Sequence, residues 1–300
     1  MKIGYDPALM EEVVSLAVKR GEERGDLRFF HEYHALADAL YERFSIGERE
    51  EAFSQLHRRL FHRWGFGELV SLALEEFPEI GALLEETFVA RALTPKEEEA
   101  DLGRDRRSLG IKIRSERFLD APGLRRLLRH ELQHIADILD PAFDFTPQGI
   151  PVSSPAEENL IRDRYRTLWA ISVDGRLSRK GKETVASKED RWQEFQALYP
   201  TILSEELAPV FNRLWEGDRP THRALLAMAR DPRRLLELPR KLLLPGAPCP
   251  LCRFPTYRWV GEFEEEVARR IQKDFPAWGP EEGACERCAE VYALGVMSAG

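Results

Sequence analysis

In the first ninety residues apolar positions fall three and four apart, as in Phe53, Leu56, Leu60 and Phe61, the spacing that turns one stripe of a helix toward a core. Helices are therefore expected from Pro7 to about Ala90, one of them opened by the capping box Ser45-Ile46-Gly47-Glu48, in which serine and glutamate each satisfy a free amide of the other's turn. The period then changes. Val89, Arg91 and Leu93 alternate, as do Leu109, Ile111 and Ile113, with a charged stretch from Lys96 to Arg107 between them, so a small sheet of two or three strands is expected between Phe88 and Leu119. Helical spacing returns from Pro122 to Leu139, with proline in the first turn and Asp140-Pro141 as the stop. A further helix opens on Ser154-Pro155-Ala156-Glu157, again a capping box, and is expected to end at Asp174-Gly175. A polar stretch from Gly175 to Asp190 reads as a solvated loop, helices follow from Arg191 to Leu244, and Pro245-Gly246-Ala247-Pro248 breaks the pattern. The fold class this implies is α+β and predominantly helical, with a small sheet, divided into a domain over 1–245 and a small module over 246–300. No internal repeat is visible.

Composition narrows the class. With 43% hydrophobic and 32% charged residues the chain can bury a substantial core, which excludes a disordered protein. No stretch of about 18 apolar residues occurs, as a membrane-spanning helix would require, and Met1 to Met10 lacks the apolar core of a signal peptide, so a cytoplasmic protein is expected. The formal net charge of -8 counts against a nucleic-acid partner, because phosphate binding draws on clustered Lys and Arg.

The candidate chemistry lies on the helix over Pro122 to Leu139, in the run His130-Glu131-Leu132-Gln133-His134. Residues four apart share a helix face, so the two imidazoles can reach one metal ion. Glu131 stands about 100° further round, close to the metal without ligating it. A zinc ion held this way lowers the pKa of its water toward about 7, and Glu131 is expected to act as the general base that takes the proton. Ser108 to Arg114, read as a strand, is expected to offer an edge for an extended peptide substrate. For a third ligand the next helix offers Glu157, within the arc marked by Leu160, Ile161, Leu168 and Ile171, whereas Asp163 and Asp174 lie roughly opposite that arc. Glu158, Asp163 and Asp140 are the alternatives. The third residue of a capping box is commonly glutamate for local reasons, so ligation by Glu157 is left open. Asp137, one turn beyond His134, could orient an imidazole, and Tyr165 and Arg164 could stabilise an oxyanion.

This helix resembles those of the zincin metallopeptidases, and among them the gluzincins, whose third ligand is a glutamate on a following helix. The run from His130 to Asp140 is also similar to the extended His-Glu-x-x-His-x-x-Asp-x-x-Asp signature of the Mlc titration factor peptidases, and Ser154-Pro155-Ala156-Glu157 to the Pro-Ala-Glu segment that carries their third ligand. The matches cover about fifteen residues, with a shorter gap between them here. The resemblance implies a zincin-like core over about 88–175 and hydrolysis of peptide bonds.

All four cysteines fall in two Cys-x-x-Cys pairs, Cys249 with Cys252 and Cys285 with Cys288. In a reduced compartment that pattern favours metal, and four thiolates close a tetrahedron with no place for water, so a structural zinc is expected in a zinc ribbon-like module. A helix is expected near Phe263 to Lys273, with Trp259, Phe275 and Trp278 supplying a small core. Two zinc ions, one catalytic and one structural, a protein or peptide substrate and a protein partner at the module complete the expectation. The competing class is a non-enzymatic zinc-binding scaffold or regulator recruiting a protein through the module, against which Glu131 counts, because a structural site has no use for a base.

Overall fold

A mixed sheet organises the N-terminal part of the chain. In the computed structural model, which describes residues 2–146, 155–200, 202–236, 243, 246–276 and 278–297, β1 (Lys2–Tyr5) is followed by α1 (Pro7–Glu23), α2 (Arg28–Arg43), α3 (Ile46–Arg63), α4 (Phe66–Glu75) and α5 (Pro78–Leu83). The chain then returns to the sheet through β2 (Glu86–Arg91), β3 (Glu99–Leu102) and β4 (Ser108–Ile113), and enters α6 (Ala121–Leu139). The strand order is β1-β2-β4-β3. β1, β2 and β4 run parallel, and β3 lies antiparallel to β4 on one edge.

Alternation along the strands explains why this sheet forms. On β4 Leu109, Ile111 and Ile113 face inward while Gly110 and Lys112 face out, and Val89 of β2 and Ala100 of β3 join the inward side. These residues form one core with Leu9, Val13 and Val14 of α1 and with Leu124, Leu128, Leu132 and Ile135 of α6. Each such aliphatic side chain, fully covered, contributes on the order of 1.5–3 kcal/mol relative to exposure. The capping box at Ser45 and Glu48 opens α3 as expected. Two strands lie where the sequence pattern gives none. β1 has only four residues, too few to display a period, and β3 falls inside the charged stretch because only one of its faces is covered.

The chain forms two compact units, Met1–Pro147 with Ser172–Lys188 and Gln148–Ile171 with Glu189–Gly300. α7 (Pro155–Arg179) contributes to both, continuing through Gly175 rather than stopping there. The capping serine expected at Ser154 lies outside the described residues. In the second unit α8 (Lys188–Leu198), α9 (Ser204–Glu216), α10 (His222–Arg230) and α11 (Pro232–Leu236) follow. α8 thus begins within the stretch read as a loop. Phe195 of α8 packs on Phe211 of α9 with ring centroids 5.9 Å apart.

The last part of the second unit has its own small core. β5 (Ala247–Pro248) pairs with β6 (Pro255–Thr256), and β7 (Trp259–Val260), α12 (Glu265–Asp274), β8 (Ala284–Cys285) and α13 (Glu286–Met297) follow, with β7 and β8 paired. Leu251, Val267, Ile271 and Trp278 are buried together with Cys249 and Cys285, and Phe263 and Phe275 pack against them.

Candidate active site and metal centre

α6 has a defined start and stop. The Asp120 side chain accepts the Gly123 N–H, Pro122 occupies the first turn, and at the far end Asp140 turns the chain by accepting the Ala142 N–H. Its leucine and isoleucine stripe faces the core, which leaves His130 and His134 together on a neighbouring stripe. Their Nε2 atoms face each other at 3.1 Å with the rings nearly perpendicular. Two imidazole nitrogens on one tetrahedral zinc, each about 2.0–2.1 Å from it, would stand roughly 3.3 Å apart. The pair therefore fits a shared ion.

A buried carboxylate backs the first histidine. Asp174 of α7 is 0% exposed, and its Oδ1 lies 2.8 Å from His130 Nδ1. A carboxylate in that position accepts the Nδ1–H and so leaves the Nε2 lone pair directed at His134, the tautomer a metal ligand needs. Sequence reasoning put Asp174 on the side of α7 away from the core. The error lies in assigning one buried face to a helix that is covered all round from Leu168 to Gly175. The signal was available in the unbroken run Trp169-Ala170-Ile171-Ser172-Val173, which has no polar stripe.

Glu131 points to the sheet. Its Oε2 accepts the Ala100 N–H at 3.2 Å. Glu99 and Asp101 register with Lys112 and Gly110 of β4, and the N–H of Ala100 is turned the other way, along the free edge of β3. Burial pushes the Glu131 carboxyl above its usual range, while His130 and the Ala100 N–H pull it back. The edge expected at Ser108 to Arg114 is not free, because β4 is hydrogen-bonded to β2 on one side and β3 on the other. Among the described residues β3, next to α6, has no strand paired on its outer side.

Other expected residues have different occupations. Asp137 is buried against Arg176, whose two terminal nitrogens lie 2.7 and 2.5 Å from its carboxylate oxygens, with Gln133 at 3.5 Å. Glu157 is exposed in the first turn of α7, where Leu160 is also exposed, so the arc drawn through Leu160 does not describe that end of the helix. Asp174, in the same unit as the histidines, is an α7 carboxylate bonded to His130. Among the described residues Asp140, in the same unit as His130 and His134, does not gather with them into a close three-ligand set. The Tyr165 hydroxyl is bonded to His222 Nδ1 at 2.8 Å, and the Arg164 guanidinium lies over the Tyr199 ring.

The four cysteines do gather. The Sγ atoms of Cys249, Cys252, Cys285 and Cys288 lie within 4.8 Å of one another, and Cys252 and Cys285 are 3.8 Å apart. With Zn–S bonds of about 2.3 Å, a tetrahedral edge is roughly 3.8 Å, so this donor set is one that can hold a metal ion. The local fold prepares it. The Cys285 N–H points to Cys249 Sγ at 3.3 Å, and the Cys288 N–H to Cys285 Sγ at 3.4 Å. Burial alone would raise the Cys249 thiol, yet the backbone N–H groups around it outweigh that and favour the thiolate.

Among the described residues no helix is long and apolar enough to cross a membrane. Comparison with protein-family models, with curated proteins and with solved structures finds no match to this chain.

Proposed function

We propose that the chain is a zinc-dependent peptidase, with His130 and His134 as metal ligands and Glu131 as general base. One observation carries the reading: two imidazole Nε2 atoms 3.1 Å apart, one of them oriented from behind by the buried Asp174. Carboxylate, histidine and an outward Nε2 form the arrangement that metal-bound histidines use. A zinc ion held there would supply the Lewis acidity that amide hydrolysis needs. Glu131, one residue from a proposed ligand and bonded to the Ala100 N–H of the edge strand, would accept the proton of the nucleophile that attacks the scissile carbonyl. The open side of β3 suits pairing with an extended peptide, in which case the Ala100 N–H now held by Glu131 becomes a donor to the substrate. The zincin resemblance on His130 to Asp140 supports the same reaction class. In this reading the cysteine set holds a structural zinc.

The test separates binding from chemistry. With unfolded casein as substrate, Glu131→Gln is expected to keep the wild-type zinc content and lose hydrolysis by about 10²–10⁴-fold, whereas His134→Ala loses one zinc per chain together with activity. Undiminished turnover by Glu131→Gln would remove the base. Zinc at both sites with no hydrolysis by the wild type would favour the scaffold reading instead.

A further inference from the structure

Beside the cysteine cluster the C-terminal module has a groove of about 710 Å³, lined among others by Phe254, Pro255, Tyr257, Arg258, Arg287 and Val291. Two of its rings are nearly bare: Phe254 is 74% and Tyr257 78% exposed, while Trp278 of the same module is buried. Two arginines, Arg258 and Arg287, line the groove together with one acidic residue, Glu286. From Gly246 to Gly300 the sequence has six basic and nine acidic residues, but three of the basic ones, Arg253, Arg258 and Arg287, lie exposed on or next to the two cysteine knuckles. Only Arg258 has an ion-pair partner among the described residues, Glu286 at 3.2 Å.

Arg253 is the most informative of the three. Its φ of 66° is a left-handed conformation that glycine takes without strain and an arginine seldom adopts. Its N–H donates to the Cys249 carbonyl at 2.8 Å and so closes the first knuckle, while the side chain is exposed and forms no ion pair among the described residues.

We propose that this face binds single-stranded nucleic acid, with bases stacked on Phe254 and Tyr257 and phosphates against Arg253, Arg258 and Arg287. Flat, exposed aromatic faces interleaved with guanidinium groups are what unpaired bases and their backbone recognise, without need of sequence. The acidic total of the chain does not oppose this, because phosphate contacts respond to the local cluster. A peptide is the poorer occupant. β5 and β6 have two residues each, too short to extend by strand addition, and the open rings offer no closed pocket for an apolar anchor. The inference stands apart from the peptidase reading.

Fluorescence anisotropy of the full-length, zinc-loaded protein with a labelled twelve-residue oligodeoxythymidine, at 50 and 200 mM salt, tests it. Salt-sensitive binding is expected, weakened roughly 5- to 150-fold by Phe254→Ala or Tyr257→Ala. Arg287→Gln is expected to lower the slope of log K against log salt by about 0.7. Zinc content of each variant, measured in parallel, shows that the knuckles stay folded, and Arg253→Gly, which relieves strain, provides a second variant that should weaken binding while stabilising the module. The proposal is overturned by absence of binding at millimolar protein, by binding indifferent to all four substitutions, or by an acidic peptide that binds in their place with the same sensitivity.

Discussion

Asp174 leaves His130 a single ring nitrogen with which to face His134, and this makes the carboxylate a quantitative handle on the site. Removing it strands an N–H in the interior and frees the ring to take the other tautomer. Asp174→Ala is therefore expected to weaken zinc binding at the histidine pair about 10–100-fold, and Asp174→Asn less, since its amide oxygen can still accept from Nδ1. Competition with a chromophoric chelator measures both, and equal affinity in all three proteins would show that Asp174 does not orient the ligand. The pair itself was legible in the sequence because a spacing of four fixes a shared face on any helix. Asp174 was not, since its role comes from α7 being surrounded over the turns from Leu168 to Gly175, and helical periodicity gives no direction there. Helical periodicity also assigns Glu157 to a covered face, whereas that end of α7 is exposed.

Among the elements, β3 matters most to the proposed substrate side, and its hold on the sheet depends on a carboxylate just before it. Glu98, with a side chain 3% exposed, accepts hydrogen bonds from the Arg117 guanidinium at 2.8 Å and the Arg114 N–H at 3.3 Å. Burial acts to raise its pKa, but these partners prevail and hold the carboxyl below the usual glutamate range. A group whose folded pKa is depressed stabilises the protein above the unfolded value of about 4.3, and that contribution is lost as pH falls through the folded value. Glu98→Gln is thus expected to cost about 1.5–3 kcal/mol at pH 7, with the gap from wild type closing below about pH 4. Denaturant melts across pH check it, and a gap that widens in acid would reverse the sign of the argument. α6 was legible because proline, an aspartate cap and a clear stop frame an amphipathic run. β3 was hidden by its charges, and with it the free edge, which the sequence assigned to the more apolar and therefore central β4.

At the scale of the whole molecule the two proposed metal sites should part under chelation, because their ligand sets differ in kind. Four thiolates close a shell, and a module of this size has little core without it, so metal binding there is coupled to folding, worth on the order of 10–16 kcal/mol in small zinc domains. The histidines sit on a helix whose leucine stripe is buried in the core of the first unit, so that site needs no metal to form. Two imidazoles hold an ion less tightly than four thiolates, and the open positions that catalysis requires also admit a chelator. Stepwise addition of 1,10-phenanthroline is accordingly expected to remove one zinc and all hydrolysis with the far-ultraviolet circular dichroism unchanged. The second zinc should leave only when a mercurial thiol reagent is added, with loss of the near-ultraviolet signal of Trp278, buried in the module core. Simultaneous release of both ions, or loss of structure with the first, would mean that the histidine site is not the preformed, open one inferred from the 3.1 Å pair.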